Sequence, residues 1–101
     1  MTPRERELAQ LQDRQTIETL LRGADSALSL LDPLKQNDGE WQRLYMNISQ
    51  ILNHAIRKAR DLSKLYGDGD NREPFQHLRG EIKQRVARFE RVVGSTGLDT
   101  L

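Results

Sequence analysis

The stretch Trp41–Tyr66, WQRLYMNISQILNHAIRKARDLSKLY, decides how this chain folds. Its apolar residues stand at Trp41, Leu44, Tyr45, Ile48, Ile51, Leu52, Ala55, Ile56, Ala59, Leu62, Leu65 and Tyr66. Steps of three and four place them all on one side of an α-helix. No Pro or Gly interrupts the run, so the spacing predicts one long helix over 39–66. The rest of the chain has to supply a surface for its stripe.

Upstream, Thr2-Pro3-Arg4-Glu5 is a helix start. Thr2 is placed to cap, Pro3 suits the first helical position, and Glu5 completes a capping box. Leu8 and Leu11 follow, then a polar gap from Gln12 to Thr16. A second stripe comes next: Ile17, Leu20, Leu21, Ala24, Ala27, Leu28 and Leu31. At about 100° per residue, Leu8 and Leu11 point nearly opposite to it. Either the helix breaks within Asp13–Thr16, or one continuous helix over 3–31 shows two faces to different neighbours. The second outcome requires a partner chain for the outer face. Gly23 weakens this helix by about 1 kcal/mol relative to Ala. Asp32-Pro33 ends it. The connection PLKQNDG covers 33–39, with Asn37 or Asp38 as the cap of the central helix.

Downstream, Gly67-Asp68-Gly69-Asp70-Asn71 is the densest turn signal in the chain. A third helix is expected over 74–93, with Pro74 in its first turn and a stripe of Phe75, Leu78, Ile82, Val86, Phe89 and Val93. Gly94 is its C-terminal stop. Residues 95–101 read as a mobile tail. The expectation is an all-α domain over 1–94: three amphipathic helices in an antiparallel bundle or hairpin. The two-faced first helix points to an oligomer, most simply a C2 dimer, with Leu8, Leu11 and Trp41 at interfaces.

Composition narrows the chemistry. The 101 residues are 36% hydrophobic and 5% aromatic, with a mean hydropathy of −0.76. Helices that each bury one stripe can fold with so lean a core, whereas a β-sandwich would carry more Val, Thr, Tyr and Phe. Cysteine is absent, which excludes disulfides, thiolate metal sites and cysteine nucleophiles. The charged N-terminus MTPRERELAQLQDR has no apolar core of a signal peptide, and no run approaches the roughly 20 residues of a membrane span. A soluble, cytoplasmic protein is expected.

The net charge of +1 hides an asymmetry. Residues 1–40 carry five Lys/Arg and eight Asp/Glu; residues 41–66 carry five against one; residues 67–101 carry six of each. An acidic first helix packed on a basic second one explains this within the chain. The other reading is a basic face for an anionic partner: Arg43, His54, Arg57, Lys58 and Lys64 lie away from the central stripe. The third helix adds Arg79, Lys83, Arg85, Arg88 and Arg91.

Two histidines are present. His54 opens H-A-I-R-K-A, which resembles the phospho-accepting helix of two-component histidine kinases, with Ala55 where that motif has an acid. His77 closes Arg72-Glu73-Pro74-Phe75-Gln76-His77, which resembles the R-x4-H pattern of HEPN ribonucleases. That resemblance implies an all-helical dimer in which Arg72 and His77 cleave RNA without metal, by acid–base chemistry and phosphate stabilisation. Trp41 followed by Ala55, Lys58 and Ala59 is loosely similar to the helical-hairpin sponges with which phages cage signalling nucleotides. Glu73, His77 and Glu81 share a helix face, and read as solvated polar residues without a second histidine to make a metal site. The 67–79 segment departs from a calcium loop at Arg72, Glu73 and Arg79.

No metal, cofactor or catalytic set is therefore expected. The reading that follows is a small regulatory or adaptor protein that binds another macromolecule through helix faces and acts by steric occupation. Leu8 and Leu11 would serve as an apolar patch, and the basic side of the central helix would meet an acidic partner. A nucleotide- or nucleic-acid-binding oligomer and a HEPN-like ribonuclease are the alternatives.

Overall fold

The structure, a computed structural model, describes residues 2–66, 72–94 and 97–98, and the side chains of 63–66 and 72–76 lie outside that description. Three helices form: α1 (Pro3–Leu31), α2 (Gly39–Tyr66) and α3 (Arg72–Val93). They pack as an up–down–up bundle measuring 52 × 19 × 15 Å. Cross-contacts fix the directions. Lys58 of α2 meets Asp13 of α1, and Tyr45 near the start of α2 meets Phe89 near the end of α3. Arg85 and Arg88 of α3 meet Asp25 and Ser29 of α1, so α1 and α3 run parallel.

The helix ends follow local chemistry. Thr2 caps α1: the Glu5 N–H donates to Thr2 Oγ1 at 3.2 Å, and the Thr2 N–H donates to a Glu5 carboxylate oxygen at 3.5 Å. The helix runs unbroken through Asp13–Thr16, which settles the alternative left open by the polar gap. At its far end Asp32 stays in the right-handed helical region although it precedes Pro33, and its N–H still donates to Leu28 O. The helix stops because Pro33 brings no N–H to extend the ladder. Asp38 accepts from the Glu40 N–H at 2.9 Å and caps α2. α3 begins at Arg72 rather than 74, because a first helical turn needs no intrahelical N–H partners and so admits Pro74. Gly94 has φ +86°, and its N–H donates to Glu90 O at 2.8 Å, closing α3.

The three stripes meet in one core. Ile17, Leu21, Ala24, Leu28 and Leu31 of α1 pack with Leu44, Ile48, Leu52, Ala55, Ile56, Ala59 and Leu62 of α2, and with Leu78, Ile82, Val86 and Phe89 of α3. Trp41 stacks on Tyr45 at 5.4 Å between ring centroids, and Tyr45 in turn leans on Phe89. The loop residue Leu34 and, past α3, Leu98 pack partly buried against the same core. Residues 95–96 and 99–101 lie outside the described ones. No helix among the described residues is long and apolar enough to cross a membrane.

Candidate functional site

The outward side of α2 is a face that the bundle leaves unused. Its inner side is committed to the core, and residues half a turn away face solvent by the 3.6-residue period. There Gln50, Asn53, His54, Arg57, Lys58 and Asp61 line a shallow depression of about 370 Å³. His54 and Arg57 are exposed. Arg57 has no ion-pair or hydrogen-bond partner among the described residues, and Asp61 one turn on stays beyond ion-pair distance. Arg43 lies on the same side near the start of α2, with Glu40 at 3.5 Å. Eleven residues separate it from His54, about 16 Å along the axis.

Other cations are spent inside the bundle. Lys58 is half-buried and turns to Asp13 at 3.2 Å, which takes it toward the α1–α2 seam. Arg85 bridges α3 to α1: its Nε and Nη2 donate to the two carboxylate oxygens of Asp25 at 3.2 and 3.1 Å, and its Nη1 donates to Glu81. Arg88 approaches the same Asp25 at 3.8 Å. Burial pulls the Arg85 guanidinium down, but hydrogen bonds and charge from Asp25 and Glu81 outweigh it, so its pKa lies above the ordinary arginine range. The sign follows from linkage: the stabilisation is complete below that range and is lost only when alkali strips the proton. On α1, Asp25 is thus answered by α3 and Asp13 by α2, while Arg57 keeps its charge on the outer face of α2.

The sequence-predicted residues therefore sort by position. Arg43, His54 and Arg57 share the outer face of α2, with Lys58 at its edge; Lys64 lies outside the described side chains. Leu8 and Leu11 are 54% and 48% exposed near the start of α1. Trp41 stands at the opposite end of the bundle, packed on its own core, so the three interface candidates do not form one surface. His77 lines a groove of about 420 Å³ between α1 and α3 with Glu18, Arg22, Glu81 and Arg85, and its Nε2 is 3.8 Å from Glu81. The backbones of Arg72 and His77 lie on one helix, and the Arg72 side chain lies outside the described ones. No group of three or more His, Cys, Asp or Glu side chains that could hold a metal ion converges among the described residues. The Asp25–Arg85–Glu81 clamp was not anticipated. Glu81 and Arg85 are spaced i, i+4, which hints at their pair, but nothing local announces Asp25.

Compared with known protein families, curated proteins and solved structures, the chain shows no significant match.

Proposed function

We propose that this protein is a small helical docking module that binds an acidic partner protein along the outer face of α2 and acts by covering that partner's surface. The observation that carries the reading is Arg57: an exposed guanidinium in a depression beside His54, with no acid of its own to answer it. Its planar fork suits a carboxylate pair, and a helix face of this kind suits a partner helix or an acidic loop. Glu40 and Asp61 interrupt the cationic stripe. That favours discrete carboxylates over a nucleic-acid backbone, which needs continuous positive charge.

Affinity capture from the native host, with mass identification of what is retained, tests this. The wild-type chain should retain an acidic protein, and Arg57→Glu should lose it while its thermal melt stays unchanged. Retention of nucleic acid with steep salt dependence would favour the nucleic-acid reading instead. Metal-independent RNA cleavage that disappears in His77→Ala would favour the ribonuclease.

A further inference from the structure

The first turns of α1 reverse the usual order of polarity. Gln10, Asp13 and Arg14 are half-buried, while Leu8 and Leu11 face solvent. From Ile17 onward the apolar side turns inward as expected. Arg14 is left short of partners: its Nε is shielded from solvent and has no hydrogen-bond partner among the described residues. Because α3 has 22 residues against 29 in α1, it falls roughly 10 Å short of matching it.

We propose that this part of α1 is a self-docking surface: a second copy lays its own α1 antiparallel along it, with Leu8 of each copy on Leu11 of the other and Glu7 of each on Arg14 of the other. Arg4, Leu8, Leu11, Gln15 and Glu18 recur at steps of four and three, the spacing of a coiled-coil seam. In the antiparallel register that stacks Leu8 on Leu11, Arg4 falls opposite Gln15. The residues flanking the seam then bring Glu7 opposite Arg14, and every contact occurs twice about a two-fold axis. A parallel pairing would set Glu7 opposite Gln12 and leave Arg14 unanswered. This self-complementarity of apolar contact and charge is why the occupant is a second copy rather than another protein.

The surface is independent of the docking face. Asp13 and Gly23 mark the side of α1 that meets α2, through Lys58 and Ile51, and Leu8 and Leu11 point away from it. A dimer formed here keeps both α2 faces open. The contact is small, so the dimer is expected to be weak and to form only at high protein concentration.

Sedimentation equilibrium over a concentration series up to about a millimolar tests the proposal, with circular dichroism to verify folding. The wild-type chain should dimerise, and the Leu8→Asp, Leu11→Asp double variant should be monomeric at unchanged helicity. Glu7→Arg alone and Arg14→Glu alone should each weaken the dimer about tenfold, since each sets like charges together. Both changes combined should restore it. A wild-type chain that stays monomeric throughout, a leucine variant that still dimerises, or a combined swap that fails to recover would each overturn the proposal.

Discussion

Asp25 holds two arginines of α3 at once, so its loss is felt by both. Asp25→Ala leaves Arg85 with Glu81 alone and Arg88 without its acid. A part-buried, charge-assisted bridge of this kind is worth about 1–2 kcal/mol after allowing for the partial solvation of Asp25. The urea midpoint should fall accordingly with an unchanged slope. Gly80 lies within α3, and a Cβ built there meets nothing within 4 Å. Gly80→Ala should therefore stabilise by about 1 kcal/mol and raise the melting temperature by about 4 °C or more, read by circular dichroism. The buried residues were legible from spacing, because one stripe per helix leaves no choice about which side faces in. The role of Arg85 was not. Its partner Asp25 is 60 residues away, and no local rule links them. The exposure of Leu30 and Met46, which sit off the stripes, does follow from the same periodicity.

α1 shows where a helix outlasts its own pattern. The polar gap from Gln12 to Thr16 contains no Gly or Pro, so nothing in the backbone demands a break, and the Thr16 and Thr19 hydroxyls donate back to the carbonyls of Gln12 and Gln15. The hydrophobic pattern alone could not decide between a break and a change of face, because both put Leu8 and Leu11 out of register with Ile17. Continuity is testable: Gln15→Pro should cost about 3 kcal/mol or more and expose the amides of the preceding turns to hydrogen exchange. A hinge at this point would instead tolerate the proline at little cost. The sequence pattern places the start of α3 two residues late for a related reason. Pro74 reads as a beginning, yet a first turn accommodates proline anywhere the ladder has not yet closed.

At the scale of the molecule, two acids of α1 tie the three helices together through cross-helix ion pairs. α1 and α3 are tied by Asp25, α1 and α2 by Asp13, and the core contains no buried polar or charged residue among the described ones. The fold class was legible because loops and stripes agreed at every level. The site was legible only in part. Outward position on α2 follows from periodicity, but the engagement of Lys58 by Asp13 depends on how two distant helices align. Two surfaces remain beyond the bundle's own needs, the leucines at the start of α1 and the cationic outer face of α2. The docking face is tested most directly by photo-crosslinking in the native host from a photoreactive residue at position 50, inside the depression beside Arg57. The expected result is an adduct with an acidic protein that disappears when Arg57→Glu is added. An adduct that persists in that variant, or none at all from the folded protein, would contradict it.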